Sequence, residues 1–363
     1  MTPLTVAVLG SGAGGCAAAF DFASHGHDTR LLDVAAFAGS VGRVSAQGGM
    51  HAQGALEGFA PLSYAGTDPA HALEGADLVF AVGPAYSTRP FGALCGPHLR
   101  PGMAVIVCPG SCLGAVEFKR AAGLDLADDT IAVAETSTLP YAARLVEPGR
   151  VNIILKIRAG NLIAAVPASA TRRVRELVAD VYPDLQPGMG VLHTTLENPN
   201  PVIHPAVTVA NAAQIERTGG DLLFYEEGVT RSVARLIEAV DNERLALGAA
   251  LGIVVRREPD VGYEQGYMSE PTYYPGYMTG PGFKGITAQS SLDHRYFNED
   301  AGYGLALWCE LGEALGVRTP AMAATLQVAS LMMGRDYRAE GARTLTSLGL
   351  GGLGGEELAA LLG

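Results

Sequence analysis

Lysine is nearly missing from this sequence. Lys119, Lys156 and Lys284 are the only three among 363 residues, and the net charge is −12. No basic stripe exists to neutralise a phosphate backbone or an anionic headgroup layer, so neither nucleic acid nor a membrane is an expected partner. Long apolar runs are missing as well, and with them any membrane-spanning helix. The first apolar run, residues 4–9, is too short for a secretory signal and leads straight into glycines. Cysteine is sparse and scattered: Cys16, Cys95, Cys108, Cys112 and Cys309. An odd, dispersed set argues against a disulfide scaffold and for a reducing compartment, so a cytoplasmic location is expected. Cys108 and Cys112 are spaced CxxxC, but no second pair of cysteines or histidines completes a zinc site, and no metal is expected. No internal repeat is visible, which removes solenoids and propellers.

What the chain does have is 48% hydrophobic residues against 17% charged, enough for a sizeable core and too little charge for disorder. Its length suggests two domains. Thr5-Val6-Ala7-Val8-Leu9 is a short apolar run of the kind buried on both faces of a parallel sheet. Gly10-Ser11-Gly12-Ala13-Gly14-Gly15 follows at once, then an Ala-rich helical pattern over 16–25, then a strand over 27–32 ending at Asp33. Strand, glycines, helix, strand and acid in this order form the dinucleotide fingerprint. Gly10 permits the tight turn, Gly12 lets a pyrophosphate approach the backbone, and Gly15 lets helix and strand pack closely. Ser11 and Ala13 belong to the same loop, at a helix N-terminus that faces the phosphates. Asp33 is placed to accept from a ribose 2′-hydroxyl and to repel a 2′-phosphate. NAD is the expected cofactor, with NADP as the alternative because Arg43 lies not far along.

Alternation continues, with strands expected over 76–82, 103–107 and 131–134 and helices over 90–99 and 115–122. The first of these strands ends in Gly83-Pro84, and Pro84 joins the cofactor-binding set because nucleotides lie beyond the carboxyl ends of such strands. The pattern predicts an α/β fold, an N-terminal Rossmann doubly wound parallel sheet. Segments 151–157 and 162–166 read as an added hairpin or edge pair, 168–181 as a helix and 183–190 as a linker. The dinucleotide domain is expected over 1–190, with a mainly helical domain over 191–363.

Residues 198–205 mark the change of character. Proline at 199, 201 and 205 predicts stiff, extended backbone, and Pro205 suits the first position of a helix over 206–218. His204 would then lie at the positive end of that helix, where a neutral imidazole is favoured. Taken alone, such a histidine reads first as a packed residue at a domain hinge. Val229, Val233, Leu236, Ile237, Val240 and Leu247 recur at helical spacing and predict a helix over 229–251, with 241–244 as a solvated or interhelical polar patch. Residues 262–285 carry Tyr263, Tyr267, Tyr273, Tyr274, Tyr277 and Phe283 without any period. A long irregular loop of this kind either covers a site or packs on its own aromatics. Helices are expected over 301–315, 320–333 and from 356 on, with Asn298 suited to cap the first and Glu299 and Asp300 favoured in its opening turn.

Five motifs then occur in one order: Gly10-x-Gly12-x-x-Gly15, Pro109-Gly110 with Glu117-Phe118, Glu135-Thr136 followed by Tyr141 and Arg144, Asn200-x-x-x-His204-Pro205, and His294-Arg295-Tyr296 followed by Glu299-Asp300. In that order the chain resembles the opine dehydrogenases, the octopine/nopaline dehydrogenase-like family, over nearly its whole length. The resemblance implies a Rossmann domain followed by a helical catalytic domain. It implies NAD(P)H-dependent joining of a 2-keto acid, typically pyruvate, to the amino group of an amino acid through an imine, and the reverse oxidation. It makes His204 and Asp300 a catalytic dyad, Arg295 the ligand of the keto-acid carboxylate, and Asn200 and Tyr296 further substrate-binding residues. The residue types suit these roles. Histidine gives and takes protons near neutrality, a carboxylate on its second nitrogen fixes the tautomer, and a guanidinium fork matches a planar carboxylate. The expected partners are small-molecule substrates, and the oligomeric state stays open, a homodimer included.

Two other readings compete. Dehydrogenases of the ketopantoate reductase or glycerol-3-phosphate dehydrogenase type share the layout but centre on a lysine, which this chain hardly supplies. A non-catalytic dinucleotide-binding protein would keep residues 10–33 without needing His204, Arg295 and Asp300 together.

Overall fold

The computed structural model describes residues 2–363, and the chain divides into two compact units between Thr194 and Thr195. The first unit holds twelve strands among the described residues: β1 (Thr5–Leu9), β2 (Asp28–Leu32), β3 (Gly49–Gly54), β4 (Gly58–Pro61), β5 (Tyr64–Gly66), β6 (Leu78–Val82), β7 (Ala104–Cys108), β8 (Ala132–Thr136), β9 (Tyr141–Glu147), β10 (Arg150–Lys156), β11 (Leu162–Val166) and β12 (Gln186–Pro187). Eight of them form one sheet in the order β12-β11-β8-β7-β6-β1-β2-β5. Chain order reverses at β1, which pairs in parallel with both β2 and β6. The central strands are Val-, Ile- and Ala-rich and buried along their length, as strands covered on both faces must be. The Rossmann sheet expected from the sequence is present.

One expectation about strand pairing fails. Residues 151–157 and 162–166 do not pair with each other. β11 joins the main sheet antiparallel to β8, making that sheet mixed. β10 instead forms a hairpin with β9 and a parallel pair with β3, giving a second sheet in the order β4-β3-β10-β9. The cause lies at 147–150, where Gly149 at φ +88° supplies a turn that β-hairpins need and most residues resist. The preceding strand, Tyr141–Glu147, buries only its first few residues and then runs exposed, so it carries little apolar signal.

Helices make up the second unit. Asn200–Thr218, Arg231–Ala250 and Pro320–Met333 pack on one another, and Ala306–Leu315 packs on the last two. Trp308, Phe297, Leu305 and Leu307 are fully buried there, each contributing about 1.5–3 kcal/mol by removal from water. The 241–244 patch is interhelical at Glu243, buried at Asp241 and Arg244, and exposed only at Asn242. Arg244 Nε donates to Asp241 Oδ1 at 2.7 Å, and both side chains are buried. Glu243 accepts from the backbone N–H groups of Ala321 and Met322 at 2.7 and 2.9 Å, so it caps the Pro320–Met333 helix from another element.

The proline segment is also corrected. Helix begins at Asn200, with Pro201 in its first turn, and Pro205 lies inside the helix. The first four helical N–H groups have no intrahelical partner, so Pro201 costs nothing there. Pro205 comes just past that zone and removes one bond, to the carbonyl of Pro201. Burial of 201–208 on their neighbours outweighs that loss. Asn298 does not cap the helix after it. Its side chain bonds Asp293, Arg335 and Tyr337, and the short Arg295–Asn298 helix is capped by His294.

Candidate active site

In the first unit, the loop between β1 and the Ala13–Ser24 helix has the shape its glycines require. Gly10 sits at φ +96°, and a Cβ there would lie 2.1 Å from the carbonyl oxygen of Val82. A Cβ on Gly15 would lie 1.8 Å from the carbonyl oxygen of Gly10. Gly12 differs: a Cβ would meet nothing of the chain within 4 Å. Its backbone is exposed at the N-cap of the helix, the place where a phosphate group would come up against the N–H groups. Ala13 opens that helix. Pro84 follows β6, on the neighbouring strand end, where it caps the short turn Ala85–Ser87.

Asp33 is tied to this loop. Its Oδ2 accepts from the Ser11 N–H at 2.7 Å and from the Ser11 hydroxyl at 2.6 Å, and its Oδ1 accepts from the Val34 N–H at 2.8 Å. Both donors of Ser11 therefore go to Asp33. That carboxylate pins the turn to the end of β2, a role that spacing alone did not reveal.

The second unit brings together the residues named from the fourth and fifth motifs. Asn200 and His204 stand one turn apart on the Asn200–Thr218 helix, so the Asn-x-x-x-His spacing puts both on one face. Asp300 begins a π-helical turn, Asp300–Leu305, that leads into the Ala306–Leu315 helix. Gly302 and Gly304 lie within it, and the Gly304 N–H reaches back to the Glu299 carbonyl at 3.1 Å. Such widened turns recur at functional sites because they re-aim one side chain. Here the turn delivers Asp300 to His204, with Oδ2 at 2.7 Å from Nδ1. Both side chains are buried.

Arg295 approaches from the helix before that turn. Its Nη1 lies 3.6 Å from Glu299 Oε2, and the guanidinium rests 5.4 Å above the centroid of the Tyr296 ring. The Arg295 side chain is 45% exposed, in contrast to the buried dyad, so its fork remains accessible to a ligand. The Tyr296 ring is stacked on the imidazole of His204, centroids 3.9 Å apart at 21°. Tyr296 was expected among substrate-binding residues; the structure shows it covering one face of His204. Asn200 is half-buried, its N–H bonded to the Asn198 side chain at 3.2 Å.

One neighbour of the dyad was missed. The Tyr225 hydroxyl lies 3.1 Å from His204 Nε2. Tyr225 follows the 222–224 stretch, which has no periodicity and no motif, so nothing in the sequence marks it. The aromatic segment 262–285 then backs Tyr225: Phe283 stacks on its ring at 4.2 Å, and Tyr277 lies 6.2 Å away. Of the two readings of that segment, self-packing is present, and it also supports a residue that touches His204.

Electrostatics follow from burial. Desolvation holds the His204 imidazole well below the usual histidine range, and the Arg295 charge adds to this while Glu299 opposes it. Burial pushes the Asp300 carboxyl up to about 7, with Arg295 opposing. Joined by a bond of 2.7 Å, the two groups titrate as a pair and not singly. The Tyr225 phenol is pushed well above 10, by burial first. The arrangement is a buried, hydrogen-bonded Asp–His pair whose two groups burial shifts in opposite directions, beside an accessible guanidinium.

Comparisons with known proteins bear on this arrangement. Residues 187–333 match the family model described as NAD/NADP octopine/nopaline dehydrogenase, alpha-helical domain. Over 353 residues the chain is 35% identical to an opine dehydrogenase of Arthrobacter sp. (strain 1C), covering 96% of each protein. The chain belongs to the opine dehydrogenase family. A second relative, the protein ocs of Agrobacterium tumefaciens (strain Ach5), is 30% identical over 365 residues, again with 96% of both covered. Among solved structures, an octopine dehydrogenase in complex with NADH and agmatine superposes with a TM-score of 0.77 at 18% identity, over 91% of this chain and 90% of that one. A yersinopine dehydrogenase bound to NADP+ gives 0.71 at 16%, over 99% and 97%. At such identities these two likenesses establish the fold. As a member of the opine dehydrogenase family the protein is an oxidoreductase. No described helix is long and apolar enough to cross a membrane, and all five cysteines are free and buried.

Proposed function

We propose that this protein is an NAD(P)H-dependent opine dehydrogenase that joins a 2-keto acid, with pyruvate as the first candidate, to the amino group of an amino acid through an imine, and runs the reverse oxidation. The observation that carries the reading is the buried Asp300–His204 pair with the exposed Arg295 fork one helical turn before Asp300. Reductive joining of an ammonium and a ketone takes up one proton per turnover, and the carbonyl oxygen leaves as water. His204 supplies the proton to that oxygen. Asp300 holds the imidazole in one tautomer and stabilises its charged form. Arg295 grips the keto-acid carboxylate with two parallel N–H bonds, which places the keto carbon. Asn200, one turn before His204, contacts the substrate carboxylate or carbonyl, and Tyr296 fixes the plane of the imidazole.

A bound nicotinamide dinucleotide supplies the hydride. The residues present fit such a group: Gly12 leaves open space at a helix N-terminus, and Ala13 continues the run of N–H groups. Gly10 and Gly15 hold the loop shape, and Asp33 Oδ1, which accepts only from the Val34 N–H, keeps a second lone pair for a ribose hydroxyl. The lysine-centred alternative has no support in the second unit, where Lys284 is the one lysine and is exposed. The test of the whole reading is a panel of amino acids and keto acids assayed with NADH and with NADPH. Absence of turnover with every pair would overturn it.

Two outcomes are expected within that panel. Catalytic efficiency with NADH exceeds that with NADPH by roughly tenfold or more, because a 2′-phosphate would meet the Asp33 carboxylate. A preference for NADPH would remove Asp33 from the ribose site. Arg295→Lys raises the KM for the keto acid by about tenfold, since the charge remains but the fork is lost. An unchanged keto-acid KM would take Arg295 out of the carboxylate site.

A further inference from the structure

Both nitrogens of His204 are engaged. Nδ1 faces Asp300 at 2.7 Å, and Nε2 faces the Tyr225 hydroxyl at 3.1 Å. With the Nδ1 proton donated to the carboxylate, Nε2 carries the lone pair, and the phenol is the donor to it. Nε2 is also the nitrogen left for exchange with a substrate. Its proton chemistry therefore takes place beside a hydroxyl that is already there.

The Tyr225 ring is held in place. Phe283 stacks on it at 4.2 Å and 26°, and Phe224 meets it edge-on at 5.0 Å and 82°. Residues 222–224, directly before it, are tied to 286–288 by backbone bonds from Phe224 N to the Ile286 carbonyl and from Ala288 N to the Leu222 carbonyl, both 2.8 Å. On the other side His204 is covered by Tyr296. A ring so confined keeps its oxygen near Nε2, while the O–H bond itself can rotate.

We infer that Tyr225 is a positioning residue for His204, its hydroxyl satisfying Nε2 in both protonation states. It donates to the bare lone pair of the neutral imidazole, then rotates and accepts from Nε2–H once the ring is charged. No proton is gained or lost by Tyr225 in either state, and its phenol stays neutral throughout. A phenylalanine could serve neither state. This role rests on the proposed proton chemistry of His204 for its kinetic consequence, but not for the hydrogen bond itself.

Tyr225→Phe gives an outcome of definite sign. Neutral His204 loses one donor; charged His204 loses the acceptor for an N–H that carries charge, which is the larger loss. Protonation of His204 is therefore disfavoured, and its titration moves to lower pH. The other groups around the imidazole are unchanged by the substitution: Asp300 on Nδ1, Arg295, Glu299 and His294 from the segment leading to Asp300, and the neutral Tyr296 ring on its face. Turnover in the reductive direction at pH 7 falls by roughly ten- to a hundredfold, the worth of a hydrogen bond to a charged group, with little change in either substrate KM.

Two measurements decide it. Nitrogen NMR of the protein labelled with ¹⁵N-histidine, with the His204 signals assigned by their loss in His204→Gln, reports the state of Nε2 without any substrate. The expected result is a hydrogen-bonded, unprotonated Nε2 in the native protein, and in Tyr225→Phe an Nε2 without that bond and a titration at lower pH. Steady-state pH profiles of the two proteins should show the same displacement in the kinetic limb. A His204 whose Nε2 signal and titration are identical in both proteins would overturn the inference. Should no pair of substrates turn over in the native protein, the functional reading fails while the NMR comparison still decides the hydrogen bond.

Discussion

Replacing His204 with alanine lowers turnover by roughly 10²- to 10⁴-fold, the usual worth of a positioned acid–base group, while NADH affinity is retained. The dinucleotide loop lies wholly within the first unit and is shaped by Gly10, Gly15 and the Asp33–Ser11 bonds, none of which involves His204. The loss should therefore appear in kcat and in the pH profile. The native profile for the joining reaction should fall as pH rises through the region near 7, where the Asp300–His204 pair gives up its proton. Burial lowers the affinity of His204 for a proton and raises that of Asp300, so the limb belongs to the pair as a unit. In His204→Ala this limb flattens. NADH binding followed by fluorescence, with kinetics across pH, checks both parts. A variant that kept native turnover would return His204 to the status of a packed helix residue.

Asp300→Asn is the second large effect, a fall in turnover of roughly 10²-fold or more. The amide is nearly the size of the carboxyl, so the π-turn and the packing around Leu305 and Trp308 should survive. What changes is the bond to Nδ1. An amide nitrogen facing Nδ1 donates and forces the other tautomer, with the proton on Nε2 and towards Tyr225. An amide oxygen facing it still accepts but carries no charge to offset an imidazolium. Either way the charged form of His204 loses its buried counter-ion. Thermal melting beside steady-state kinetics separates the outcomes: an unstable variant with near-native turnover would make Asp300 a helix-start residue and no more.

How much of this was legible in the sequence depended on distance along the chain. The dinucleotide loop was readable because strand, glycines, helix and acid all lie within Thr5 to Asp33, and Gly15 answers a steric demand set by Gly10 a few residues away. The tie between Asp33 and Ser11 was not readable, since it depends on how β1 and β2 lie side by side. The proline segment was misread for a related reason. Local preference favoured extended backbone at 199–205, and the burial that makes it helical comes from residues far along the chain. β10 and β11 were assigned to each other because they are sequence neighbours, whereas β10 pairs with β3, about a hundred residues earlier.

By itself the sequence determined the α/β character of the first unit and the helical character of the second, which follow from periodicities of two or three to four residues written into the chain. His204, Arg295 and Asp300 were singled out together by the resemblance to the opine dehydrogenases, since residue type and spacing alone read the histidine as packed and the acid as a helix-start residue. Only the tertiary structure decided that His204 lies inside a helix, that a widened turn carries Asp300 to its Nδ1, and that Tyr225 stands at its Nε2. The separation of 96 positions between His204 and Asp300 is spanned by a fold, not by a spacing rule. A hydrogen bond of 2.7 Å needs two backbones placed to within fractions of an ångström, and that precision comes from packing of the Asn200–Thr218 helix against its neighbours, which no local pattern encodes.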